Sequence, residues 1–327
     1  MSHAAGWSAV QADGVTPSTA LVVVDEHSVV GSGPDGVSAR ITAAESAVGH
    51  ALRRTVAATD ISSFTELRLS FRANRRAGPG GHPMFLELRL GSEALPVNAW
   101  HRLLPVRSPN TWETVRLSID DLPAAVAGAV TRIQLRCVDA PFTAYVDDLI
   151  AVRPLMLADA DQVLVDALSG ISVAGQPVAV AVRAAGQPTP DPPAVDILQF
   201  DVRPAPGRAL DTRVLRDFSA DGARTAELGA AYDLDYAVTP VAATRAAQAE
   251  LLEGVLRRLA PLDELVADGD QFPVELVGLP GTDRIGGTVD RTPVLVYRVG
   301  VRGPMTVSAP LHQVTEIHVD ADQLETA

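Results

Sequence analysis

Hydrophobic and polar positions alternate along the first half of the chain. In the second half the alternation is interrupted twice by a helical period. Leu67, Leu69 and Phe71 alternate with Arg68, Ser70 and Arg72, the period-2 pattern of a half-buried strand. Similar runs predict strands over 20–24, 37–42, 67–71, 85–90, 114–119, 131–138 and 143–152. Turn-rich stretches separate them: GSGPDG at 31–36, RAGPGG at 76–81 and SPN at 108–110. Many short alternating strands with such punctuation predict an all-β jelly-roll sandwich.

Arg153-Pro154 marks a change of pattern. Val163, Leu164, Ala167 and Leu168 fall on one face of a predicted helix over 158–168, stopped by Ser169-Gly170. Strands are predicted at 178–182, 194–202 and 232–238. Between them lie a proline-rich loop at 186–193 and a polar loop or hairpin excursion at 211–227. The stretch 231–261 is the one around which the chain is organised. Leu234, Tyr236 and Val238 alternate with Asp233, Asp235 and Ala237, and Thr239-Pro240 is expected to end the strand. Leu251, Leu252, Val255, Leu256 and Leu259 then share a helix face, with Glu250, Glu253, Arg257 and Arg258 opposite. A turn region at 262–270, a strand at 274–279, a loop at 280–287 and strands at 292–301 and 314–319 complete the reading. Two domains are expected: an all-β jelly roll over 1–154, and an α+β domain over 155–327 with helices on a mixed or antiparallel sheet.

Composition narrows the chemistry. The 327 residues carry a net charge of -13, which disfavours a nucleic-acid partner. Every basic side chain is arginine, so Schiff-base and phosphate-loop lysines are excluded. Cys137 is the single cysteine and sits at an apolar strand position, which points to a buried structural thiol. No apolar run reaches the roughly 20 residues of a membrane span, and no leader is evident. Assembly in the cytoplasm is expected.

No catalytic motif appears, so neither an enzyme nor a cofactor is expected. Gly31, Gly33 and Gly36 match a dinucleotide fingerprint, but a strand-like run follows where a helix is required, so a turn is the reading. His3, His27, His50, His82, His101, His312 and His318 show no metal-ligand spacing. Asp233/Asp235 and Asp268/Asp270 are carboxylate pairs on one face, read as solvated. Trp100, Trp112 and Tyr145 are candidates to stack on a sugar ring; Trp112 also reads as an anchor at the start of a strand.

The segment TDISSFTELRL at 59–69 and the closing strand AYVDDLI at 144–150 resemble the jelly rolls of carbohydrate-binding modules. That resemblance implies a structural calcium near the last strand, with Asp148 as the residue carried over; otherwise Asp147 and Asp148 form a solvated strand end. In the second half, the order of the segments at 232–240, 249–259, 273–279 and 293–299 resembles the cap proteins of extracellular contractile injection systems, relatives of phage tail terminators. This implies a ring, six-fold by resemblance, that closes the inner tube and sheath of a phage-tail-like particle released by lysis. Its partners would be copies of itself, the tube protein and the sheath protein. Arms reaching neighbouring subunits are expected from 178–182, 186–193, 211–227 or 314–319. The alternative function is a glycan-binding surface or secreted protein led by the first half.

Overall fold

The computed structural model describes residues 4–31, 36–78, 82–184, 186–208, 213–219, 222–227, 229–278, 294–303 and 306–311. The chain divides into two compact units. One comprises Met1–Arg153, Arg213–Glu227 and Val307–Ala327, and the other Pro154–Thr212 and Leu228–Thr306.

The first unit begins with β1 (Trp7–Val10), β2 (Leu21–Glu26), β3 (Ser38–Ala43), β4 (Ala51–Thr59) and β5 (Glu66–Ala73). β6 (Leu86–Gly91), β7 (Trp100–Leu103), β8 (Glu113–Ser118), the short helix α1 (Ala124–Ala127), β9 (Val130–Cys137) and β10 (Phe142–Val152) follow. One sheet runs β2-β3-β10-β5-β8, and the other carries β1-β4-β9-β6-β7. The antiparallel partners β3·β10, β4·β9, β5·β8 and β6·β7 are nested. A single long ribbon, folded in half and wound across two sheets, gives that pairing, and this is the jelly roll. The alternation that predicted the strands also fills the core. Ile41, Leu69, Phe71 and Val146 of one sheet join Leu52, Leu88, Leu90 and Leu135 of the other in one apolar cluster. Cys137 lies wholly inside it, its thiol pushed up to about 11 by burial and by Asp139.

The second unit opens with α2 (Met156–Leu168). Next come β11 (Ser172–Val173), β12 (Gln176–Pro177), β13 (Ala179–Val182) and β14 (Ala194–Pro204). A hairpin, β15 (Arg213–Ser219) and β16 (Gly222–Glu227), groups with the first unit. β17 (Ala231–Val241), α3 (Arg245–Arg258), β18 (Leu262–Ala267), β19 (Asp270–Gly278) and β20 (Leu295–Arg302) return to the second, and β21 (Thr306–Leu311) ends the described chain. Six strands form one sheet, β13-β14-β17-β20-β19-β18, antiparallel except for β13·β14. Leu234, Tyr236 and Val238 are fully buried on one face, in a cluster with Val163 and Leu164 of α2 and Leu251 and Val255 of α3. The buried phenols are satisfied: Tyr236 donates to Asp161 Oδ1 at 2.7 Å and Tyr297 to the Leu259 carbonyl at 2.9 Å. Thr244 caps α3 by accepting from the Ala247 amide at 3.2 Å.

The expected α+β domain over 155–327 is not what forms. The described chain is mostly strand throughout, and its three α-helices are the short α1, α2 and α3. Residues 155–327 do not fold as one body either. β15, β16 and β21 belong to the eight-stranded sheet β1-β4-β9-β6-β7-β15-β16-β21, with Phe218 opposite Leu103. The reason is physical: β7 has a free edge in the five-strand arrangement, and the β15–β16 hairpin meets that edge at the Phe218↔Leu103 pair.

Smaller differences follow the same logic. Pro240 does not end β17; it stays in the sheet opposite Val195 of β14, past the last described β20 pair, Val238↔Leu295. Residues 262–267, read as a turn, are an edge strand pairing with β19. The predicted strand at 314–319 and the loop at 280–287 lie outside the described residues.

Candidate functional site

The outer face of the β2-β3-β10-β5-β8 sheet is built by the residues that alternate with its core positions. Register fixes who stands beside whom. Val24 faces Arg40, Arg40 faces Tyr145, and Tyr145 faces Arg72. Trp112 directly precedes Glu113, which pairs with Phe71, so it extends the row past Arg72. Arg40, Tyr145, Arg72 and Trp112 therefore form one row across four strands, each part-exposed. The Trp112 and Tyr145 ring centroids are 6.5 Å apart with planes at 59°, and the Arg72 guanidinium lies 5.8 Å from the Tyr145 centroid. Arg40 is held by Glu26 at 3.1 Å.

A wall rises beside this row. Ser38 donates to the Val29 carbonyl at 2.5 Å, and the Gly31 amide donates to Asp147 Oδ2 at 3.1 Å. A Cβ at Gly31 would stand 2.9 Å from that carboxylate oxygen and 3.0 Å from Ser70 Oγ, so Asp147 or Ser70 would have to shift to admit a side chain there. Gly36 is followed by strand β3 rather than a helix; Gly33 lies outside the described residues.

Asp147 is fully buried rather than solvated, whereas Asp148 is part-exposed. Asp148 sits at φ 32° in the bulge where β10 and β5 shift register, its amide donating to Asp147 Oδ1 at 3.0 Å. Among the described residues, no three His, Cys, Asp or Glu side chains gather as a metal site.

Trp100 does not join the aromatic row. It is buried in the sandwich, donating from Nε1 to Asp121 Oδ1 at 3.0 Å with the Arg102 guanidinium 4.8 Å from its ring. The outer face of the other sheet is polar instead. Ser8, Arg53, Gln134, Arg89 and His101 occupy successive register positions across β1, β4, β9, β6 and β7. Beside them the buried Glu87 accepts from Arg89 Nε at 2.8 Å, with His101 Nε2 at 3.8 Å.

The remaining sequence candidates are structural. His50 shares a 2.7 Å hydrogen bond with Ser18, while His3, His312 and His318 lie outside the described residues. The Asp233/Asp235 pair is not a solvated face. Asp235 is buried, accepts from Arg298 Nε at 2.9 Å and is bridged by Arg203; Asp233 lies 3.9 Å from Arg298. Arg298 thus lies against both carboxylates, and Arg203 against Asp235.

No protein-family model and no curated protein matches this chain. Among solved structures, it is similar to the enzymatically active domain of tailspike protein 4 from bacteriophage CBA120, at 16% identity over 45% of this chain and a TM-score of 0.32. It spans only 19% of that domain. It is also similar to the family 11 carbohydrate-binding module of Clostridium thermocellum, at 9% identity over 46% of this chain and 98% of the module, with a TM-score of 0.29. An exo-beta-agarase is matched at 13% identity over 53% of this chain and 27% of the enzyme, with a TM-score of 0.31. At these scores the likenesses carry no weight for function.

Proposed function

We propose that this chain is a non-catalytic glycan-binding protein that holds a saccharide on the outer face of β3, β10, β5 and β8. The observation that carries the reading is the row Arg40, Tyr145, Arg72 and Trp112 beside the wall at Gly31. Aromatic faces stack on the C–H faces of a sugar, and guanidinium donors between them hydrogen-bond its hydroxyl oxygens. Binding of this kind needs no nucleophile.

Affinity electrophoresis of the full chain against a panel of soluble polysaccharides tests the proposal. At least one polysaccharide is expected to retard the protein. Trp112→Ala and Tyr145→Ala are each expected to weaken binding about tenfold or more. No retardation by any polysaccharide, or unchanged binding by the folded double variant, overturns the reading. A ring closing a tube end is implied only by the resemblance of the segments at 232–240, 249–259, 273–279 and 293–299, and no observation among the described residues favours it.

A further inference from the structure

A cleft of about 370 Å³ opens on the opposite sheet, where β1, β4 and β9 meet. Its size falls within the range of small-molecule sites, about 300–1,000 Å³. Three of its eight lining residues are arginines, Arg53, Arg54 and Arg132, and none is acidic. Ser8 and Thr55 add hydroxyl groups, and Gly6 closes one side at φ 88° with its Cβ position 3.6 Å from Arg54 Nε. The cleft has a cause in the backbone. The β4·β9 ladder breaks after Thr55↔Arg132 and resumes only at Thr59↔Val130.

The three guanidiniums differ in how far they are satisfied. Arg53 Nη1 donates to the Gly14 carbonyl, and Arg132 reaches the exposed Glu93 at 3.2 Å. Arg54 lies 5.9 Å from the Trp7 ring centroid, and its buried Nη1 has no hydrogen-bond partner. A buried charged donor without an acceptor is costly, and like charges gathered together repel. In a chain of net charge -13, an arginine cluster with no carboxylate in the cleft lining runs against the overall charge.

We infer that this cleft binds a small organic oxyanion, a molecule carrying a carboxylate, sulfate or phosphate group. The oxyanion accepts from Arg54 and Arg132, whose planar forks suit two-oxygen recognition, while Ser8 and Thr55 contact the rest of the ligand. The site lies on the other sheet from the aromatic row and is independent of it.

Isothermal titration of the full chain with glucuronate, galactose 6-sulfate, glucose 6-phosphate, glucose and sodium sulfate tests the inference. At least one charged sugar is expected to bind about tenfold or more tightly than glucose, and to weaken as salt is raised. Which charged sugar binds best distinguishes the three oxyanion sources. Arg54→Gln and Arg132→Gln are each expected to weaken binding about tenfold. Arg132 is the safer variant, because its visible pair is a surface one; unchanged melting temperatures verify folding. The charged sugars binding no better than glucose, or both folded variants binding as wild type, overturns the inference. Sodium sulfate binding as tightly as every charged sugar overturns the organic ligand. Intact oxyanion binding in the Trp112→Ala, Tyr145→Ala variant keeps this site distinct from the aromatic one.

Discussion

Replacing Asp235 by asparagine tests the charge row on the outer face of the second unit's sheet. The carboxylate is 1% exposed, yet it lies between Arg298 of β20 and Arg203 of β14. Arg298 Nε donates to it at 2.9 Å, and that hydrogen bond raises the affinity of the guanidinium for its proton. A charge-assisted bond in such a setting contributes about 1.5–3 kcal/mol. The Arg203 side chain is 51% exposed, so solvent screening limits its share to about 0–1 kcal/mol. Asparagine keeps the shape and one acceptor but removes the buried counter-charge, leaving Arg203 with the exposed Asp201 at 2.9 Å and Arg298 with Asp233 at 3.9 Å. A loss of about 2–3 kcal/mol is expected. Guanidinium unfolding followed by far-ultraviolet circular dichroism reads it. Trp7, Trp100 and Trp112 all belong to the first unit, so tryptophan emission gives a separate view of the sandwich. A destabilisation below about 0.5 kcal/mol in the dichroism would refute the reasoning. So would Asp235→Asn costing as much in an Arg298→Gln background, since coupled partners must not add.

Three further outcomes are expected. Gly91→Ala places a Cβ 2.6 Å from Val97 Cα and 2.9 Å from its amide nitrogen, so thermal unfolding should show a loss of about 1–3 kcal/mol. Thr244→Ala removes the α3 cap and should cost about 1 kcal/mol by urea unfolding; an unchanged midpoint refutes the capping role. Burial pushes Tyr297 up to about 12, and burial with the hydrogen bond to Asp161 pushes Tyr236 higher still. Above an unfolded-state value of about 10, the unfolded phenols ionise while these two stay protonated, so stability is kept below that pH and falls by about 1.4 kcal/mol per pH unit per group above it. In a spectrophotometric titration of the four tyrosines, two should therefore ionise only with unfolding.

The jelly roll was legible because its core strands alternate cleanly. Leu67, Leu69 and Phe71 announce β5 without help. β4 was missed because Ala51 and Leu52 are both buried in succession, two arginines follow, and the strand then breaks register at Thr55. β18 was hidden by Asp263 and Glu264, which an edge strand tolerates and a central strand does not. For the site, the sequence offered Trp112 and Tyr145 as aromatics but could not place them together, since they lie 33 positions apart and meet only through β10·β5·β8 register. Arg40 and Arg72 carried no signal at all, because a surface arginine reads the same whether its neighbour is water or a ring. The burial of Asp147 was equally invisible, since it depends on a loop more than a hundred residues away.

The hairpin β15–β16 gives the chain an itinerary with consequences for its synthesis. The sandwich is spelled out by residue 153, yet the strands lying beyond β7 in its sheet come from segments after residue 212. A nascent chain released at Arg153 would carry a bare strand edge at Trp100–Leu103, a template for pairing with another copy. Cutting the gene at this obvious seam should give a product that self-associates, whereas grafting residues 213–227 back onto it by a short linker should restore a solitary, soluble fold.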